Sequence, residues 1–158
     1  GATPGCSLSD RFEQVDEIRP GNLTFYDLMQ QRIGACSESE IGVAVACPVV
    51  AIYPERHELI VQGGAVHLSK EGLPDDGFTN FGAVCSLSAD GWREAWAETA
   101  VVSLSQEHGV IRTTPQRLQT MQVGDLVAIL PIHSCLTANL LRHYRTLDNQ
   151  IIQLPNLT

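Results

Sequence analysis

Gly124-Asp125-Leu126-Val127-Ala128-Ile129-Leu130-Pro131 runs without a polar break into Ile132-His133-Ser134-Cys135-Leu136-Thr137-Ala138-Asn139. A Gly-Asp turn leading into a short apolar run reads as a buried β-strand, and just beyond its end a histidine and a cysteine stand two residues apart. In an extended strand, residues i and i+2 project from one face, so the His133 imidazole and the Cys135 thiolate would converge on a single point. That is a metal-ligand pair. Two protein ligands leave a divalent ion with open positions for water or substrate, which suits a catalytic site better than a closed structural one. On spacing alone, plain packing at the end of a buried strand remains the commoner reading.

Outward from this stretch the pattern is that of short strands separated by turn residues. Residues 41–53 (interrupted by Pro48), 58–66, 81–87, 99–104, 123–131 and 150–154 read as β-rich runs. Pro48 demands an edge or a bulge in the first of them. Gly63-Gly64, Pro74-Asp75-Asp76-Gly77, Asp90-Gly91, Gly109, Gly124-Asp125 and Asp148-Asn149 punctuate the runs as turns. The fold class expected is mainly β, an antiparallel β domain. A helix is expected over residues 137–144, with Leu140, Leu141 and Tyr144 at helical spacing and Thr137 as its cap. The first third differs in texture: a Gly/Ser/Thr/Pro loop, a polar stretch (residues 9–16) that could form a helix, then residues 19–27. There is no repeat and no low-complexity segment.

The 158 residues can bury one core, and 44% hydrophobic content fits a globular domain. A net charge of -8, a single lysine (Lys70) and nine scattered arginines offer no basic stripe for nucleic acid. No apolar run approaches the roughly 20 residues that cross a bilayer, and Gly1-Ala2-Thr3-Pro4 lacks the features of a signal peptide, so a cytoplasmic location is expected. The five cysteines are odd in number and form no Cys-x-x-Cys pair, so neither a disulfide framework nor a zinc ribbon is indicated. Cys47 and Cys85 sit within apolar runs and read as buried small hydrophobes.

Two further signatures stand in register with the first: Ser103-Leu104-Ser105-Gln106-Glu107-His108-Gly109, and Glu17-Ile18-Arg19-Pro20-Gly21-Asn22-Leu23-Thr24-Phe25-Tyr26-Asp27. Together, from Gly1 to about Ile152, the chain resembles the C-terminal portion of the D-serine dehydratase-like and D-threonine aldolase family. These are pyridoxal-phosphate enzymes with an alanine-racemase-like barrel followed by a β domain. The resemblance implies two parts: residues 1–34 as the end of a cofactor-binding (β/α)8 barrel, and residues 35–158 as a C-terminal β domain with a metal site.

On that resemblance, the Gly1–Ser7 loop is similar to the phosphate-binding loop after the seventh barrel strand, and Gly21-Asn22 to the second such turn. Gly1 and Thr3, with the backbone amides of Gly21 and Asn22, would hold the phosphate of pyridoxal 5'-phosphate. By sequence alone a frayed terminus is the better reading of the first loop. His133 and Cys135 would hold the metal, zinc by preference for a thiolate with an imidazole. Glu107 and His108 would orient metal-bound water or substrate, or serve as a turn carboxylate and a structural histidine. The metal would act as Lewis acid on the β-hydroxyl of a D-amino acid while the cofactor accepts electrons from the α-carbon.

The Schiff-base lysine of the family belongs to the first barrel strand. Lys70 is read as a residue of the surface or of the site's outer surroundings, so this chain alone is expected to be inactive and to need the N-terminal barrel segment as partner. His67 reads as a hydrogen-bonded strand histidine that could approach the site, and Arg19 with Asp27 as a buried ion pair. Dehydration of a substrate such as D-serine is the expectation implied by Cys135; aldol cleavage of D-threonine, racemisation, or a stand-alone metal- or amino-acid-binding module are the alternatives. A homodimer is implied by the family, with neither nucleic acid nor membrane as partner.

Overall fold

The strands close into a ring. In the computed structural model, which describes residues 3–154, β1 (Val45–Tyr53), β2 (Glu58–Gln62), β5 (Gly82–Ser88), β6 (Gly91–Leu104), β7 (His108–Arg112) and β8 (Leu126–Pro131) form an antiparallel six-stranded barrel in the order β1-β2-β7-β6-β5-β8, with β8 pairing back onto β1. Two hairpins lie outside it: β3 (Leu73–Asp75) with β4 (Phe78–Asn80), and β9 (His143–Arg145) with β10 (Ile151–Gln153). The helices are single turns or little more: α1 (Thr3–Leu8), α2 (Leu28–Arg32), α3 (Ala65–Leu68), α4 (Pro115–Leu118) and α5 (Ser134–Leu141).

The decisive strand is β8. From Val127 to Pro131 every residue is buried, which a strand does only when both faces are covered. Val127 and Ile129 point into the barrel with Val45, Cys47, Val49, Leu59, Val61, Val101 and Ile111. Ala128 and Leu130, with Ile132 beyond them, face outward into a second apolar cluster with Leu28 of α2, Ile41 and Cys85. Period-two alternation therefore operates within an unbroken apolar run, and the outer cluster glues the N-terminal segment onto the barrel beside the turn that carries His133.

Turn chemistry agrees with the expected glycines and acids. Asp76-Gly77 closes β3–β4 with Gly77 at φ 77°, and Gly124 (φ 98°) precedes Asp125, whose carboxylate accepts from the Gln122 N–H at 2.7 Å. Pro48 lies in β1 opposite Leu126, and the pairing with β2 shifts register between Val49 and Ala51, a bulge one residue beyond the proline.

Several expectations are corrected. The run 58–66 stops at Gln62, because Gly63-Gly64 leads into α3; His67 is thus on a helical turn, where its Nδ1 accepts the Gly64 N–H at 3.2 Å. Gly109 lies within β7 rather than in a turn. Residues 9–16, expected as a helix, are non-helical, and α1 lies before them at Thr3–Leu8. The helix expected over 137–144 is α5, which starts three residues earlier with His133 as N-cap; Thr137 is buried inside it and donates its hydroxyl to the Leu68 carbonyl at 3.3 Å. Gly1 lies outside the described residues. No helix among the described residues is long and apolar enough to cross a membrane.

Candidate metal and anion site

Strand β8 delivers the chain to a sharp change of conformation. His133 keeps extended backbone (φ -134°, ψ 100°) as N-cap, and Ser134 and Cys135 are the first two residues of α5. The premise that His133 and Cys135 share one strand face is therefore corrected: the pair straddles a strand-to-helix turn, with His133 still extended and Cys135 already in the helix. Both side chains are half-buried.

The His133 ring is held from behind. Its Nδ1 lies 2.8 Å from Glu71 Oε2; with the carboxylate ionised, Nδ1 carries the proton and donates, leaving the Nε2 lone pair on the far side of the ring. Glu71 reaches this position because Ser69 ends α3 at φ 70° and turns the chain, its hydroxyl accepting the Glu71 N–H at 3.2 Å. A carboxylate behind a histidine is the outer arrangement that orients metal-ligating imidazoles. On the other side, Cys135 lies near Tyr144. Burial pushes the Tyr144 phenol up, with the nearby Cys135 charge a lesser cause.

The two turns singled out in the N-terminal segment are also brought together. The Asn22 N–H donates to Thr3 Oγ1 at 2.9 Å, and both residues are buried. The Asn22 backbone amide, expected to face an anion, is thus engaged by Thr3, and the Asn22 side chain turns to Asp27 and Ser134. Gly21 is exposed, with nothing within 4 Å of where a Cβ would stand. Asn22 Nδ2 and the Ser134 N–H both donate to Asp27 Oδ2, at 2.5 and 2.9 Å, and Ser134 Oγ donates to Asn22 Oδ1 at 2.5 Å. Asp27 Oδ1 caps α2 by accepting the Gln30 N–H at 2.9 Å.

Asp27 is fully buried, and Arg19 is not its partner. Arg19 is exposed and pairs with Glu17 at 2.6 Å, the guanidinium holding the Glu17 carboxyl below its usual range. The Arg–carboxylate pair expected at this point is corrected to a carboxylate held by three N–H donors.

Glu107 and His108 are exposed at the β6–β7 turn. That turn packs on the start of α3, where Ala65 and Val66 donate to the Ser105 and Gln106 carbonyls, and a side chain on Gly64 would stand 2.5 Å from the His108 nitrogen. Glu71, not Glu107, is the carboxylate on His133. Glu71 and Ser134 are the residues of this cluster that sequence reading misses, whereas Asn22 is singled out there for its backbone amide and Asp27 as a partner of Arg19. Ser134 lies between the two expected ligands, but nothing in the chain pairs residues 22, 27, 71 and 134 before folding. Lys70 is exposed. Among the described residues, no group of three or more His, Cys, Asp or Glu side chains is placed to hold a metal.

The six-stranded antiparallel barrel has its structural neighbours among alanine racemase-like proteins. The structure superposes on an alanine racemase-like protein from Idiomarina loihiensis with a TM-score of 0.83 and 30% identity, covering 99% of this chain and 42% of that one. It also matches D-threo-3-hydroxyaspartate dehydratase from Delftia sp. HT23 in fold (TM-score 0.78, 23% identity, 94% of this chain and 41% of that one). The chain belongs to the family described as the putative serine dehydratase domain, whose model matches residues 42–147. It is similar to D-serine dehydratase of Dictyostelium discoideum, at 39% identity over 96% of this chain and 40% of that protein. D-serine dehydratase of Saccharomyces cerevisiae is 29% identical over 85% of this chain and 31% of that protein. The chain spans less than half the length of these relatives.

Proposed function

We propose that this chain is the C-terminal part of a pyridoxal-phosphate- and metal-dependent lyase that dehydrates a D-configured β-hydroxy amino acid, D-serine in the first instance, and that it supplies the metal site and part of the phosphate site. In this reading residues 1–34 belong to the end of the cofactor-binding barrel and residues 35–158 form the β domain. The lysine that anchors the cofactor comes from the barrel portion.

The observation that carries the reading is the His133–Cys135 turn, with His133 Nδ1 held 2.8 Å from Glu71 Oε2. An imidazole and a thiol as donor set fit zinc, and two protein ligands leave room for water and substrate. Solved structures of D-threo-3-hydroxyaspartate dehydratase include a histidine-to-alanine variant and a metal-free variant in which the cysteine two positions later is alanine. This chain has a single His-x-Cys, at His133 and Cys135.

At the other end, the Thr3 hydroxyl accepts from the Asn22 N–H and keeps its own proton to donate, and Gly21 is exposed with open space where a Cβ would stand. These groups fit a phosphate. When bound, pyridoxal phosphate supplies an electron sink for the substrate α-carbon, and zinc supplies Lewis acidity at the β-hydroxyl. His133 and Cys135 would hold the metal, Glu71 would orient the His133 ring through Nδ1, and Thr3 and Gly21 would hold the cofactor's phosphate end. Glu107 and His108 remain candidates for orienting substrate from the β6–β7 turn.

The test is product analysis on the protein carrying its barrel portion, loaded with cofactor and zinc and given D-serine. A 2-oxo acid and ammonia support the reading. Glycine and an aldehyde from D-threonine would replace it by aldol cleavage, inversion at the α-carbon by racemisation, and no turnover of any D-amino acid by a binding module.

A further inference from the structure

Thr3, Asn22, Asp27 and Ser134 are all at least nine-tenths buried, yet the side chains of Asn22, Asp27 and Ser134 direct their hydrogen bonds almost wholly at one another. Asn22 Oδ1 accepts from Ser134 Oγ, Asn22 Nδ2 donates to Asp27 Oδ2, and the Ser134 N–H returns to the same oxygen, closing a ring across 112 residues of sequence. Gln30 N–H on Asp27 Oδ1 ties the ring to α2, and Asn22 N–H on Thr3 Oγ1 ties it to the first turn. Burying a carboxylate, an amide and a hydroxyl is costly unless each is satisfied, and a satisfied ring permits few alternative arrangements. Its two ends fall at telling places. Asn22 is next to Gly21, and Ser134 stands between His133 and Cys135.

We propose that Asn22, Asp27 and Ser134 are positioning residues that couple the Gly21 turn to the His133–Cys135 pair, so that a phosphate group bound at the first tightens metal binding at the second. The proposal rests on the reading of these two places as anion and metal sites. Ordering one turn fixes Asn22, the ring transmits that order to the Ser134 backbone, and the second ligand then loses less entropy in ordering its own turn. A direct attraction between phosphate and metal would also give coupling, but it would not pass through the Ser134 hydroxyl.

The experiment titrates the chain with cobalt(II), monitored by the thiolate-to-cobalt absorption band, with and without saturating methyl phosphate. Wild type is expected to bind cobalt about fivefold more tightly with the phosphate ester present, the lower end of ordinary coupling between sites. Ser134→Ala removes only the hydroxyl link, keeps the N–H on Asp27 and keeps both metal ligands. It should show the same cobalt spectrum but a phosphate effect below about twofold, and Asn22→Ala should behave alike, with the double variant losing no more than either. An undiminished phosphate effect in both single variants, or its absence in wild type with an intact cobalt band, overturns the coupling while leaving the metal site standing. The absence of the cobalt band in wild type overturns the metal reading and this proposal with it.

Discussion

The barrel interior and the seam on its outer face are built on opposite principles. Inside, Val49, Leu59, Val61, Val101, Ile111, Val127 and Ile129 interdigitate with almost no exposed surface, and six ladders of backbone hydrogen bonds repeat around the ring. Burial of each such side chain stabilises by about 1.5–3 kcal/mol, and no single one is indispensable. At the seam, α2, residues 22–24 and the start of α5 meet around one carboxylate, and Asp27 accepts from three N–H groups contributed by three separate segments. A barrel tolerates a near-isosteric change because its energy is spread over area. A seam organised on one acceptor does not, because an amide in place of the carboxylate turns an acceptor into a donor facing donors.

Shape-preserving substitutions sharpen that contrast most. Asp27→Asn should destabilise by about 3 kcal/mol or more, since it leaves buried N–H groups unsatisfied, whereas Ile129→Val in the barrel should cost about 1 kcal/mol. Denaturant unfolding of the two variants checks the order, and a larger loss for Ile129→Val would break the comparison.

A second difference lies in thiol chemistry. Burial pushes the Cys47 thiol up to about 12, and burial with a lesser contribution from Glu38 does the same at Cys85. Both folded values are raised above the ordinary 9.0, so the folded state keeps protons that the unfolded state releases. The stability they contribute is complete below about pH 9 and is lost as pH climbs toward about 12. At about pH 8, a thiol reagent should modify half-buried Cys6, Cys36 and Cys135 before either. Mass-spectrometric mapping of the labelled positions checks this.

The smallest effect belongs to Arg19. Its ion pair with Glu17 is open to water, so Arg19→Ala should leave the thermal midpoint unchanged. A clear drop would mean that Arg19 supports the seam after all.

Much of the barrel can be read before folding. The Gly-Asp and Asp-Gly turns, the proline-marked bulge in β1 and the apolar run of β8 carry their own local signals. The short strands of β3, β4 and β9 do not, because three residues between turns show too few alternations to register. The start of α5 escapes sequence reading for a physical reason: its N-cap is a histidine rather than Ser, Thr, Asp or Asn, so the cap signal points to Thr137, a position that in fact bonds Leu68. The candidate ligand types, His133 and Cys135, and their spacing are legible, but the strand face invoked for them is not where they sit. The groups that orient them are hidden, since Glu71 is 62 residues from His133 and Asp27 is 107 residues from Ser134. Such contacts depend on barrel closure, which no local window records.

The central claim is that the strand-to-helix turn after β8 holds a metal ion through His133 and Cys135. Zinc content and affinity of the purified chain test it most directly, with His133→Ala, Cys135→Ala and Cys85→Ala compared under one set of conditions. The account predicts about one weakly held zinc per wild-type chain, because water must complete the shell, loss of it in the His133 and Cys135 variants, and retention in the Cys85 variant. Equal zinc retention by all three variants would contradict it.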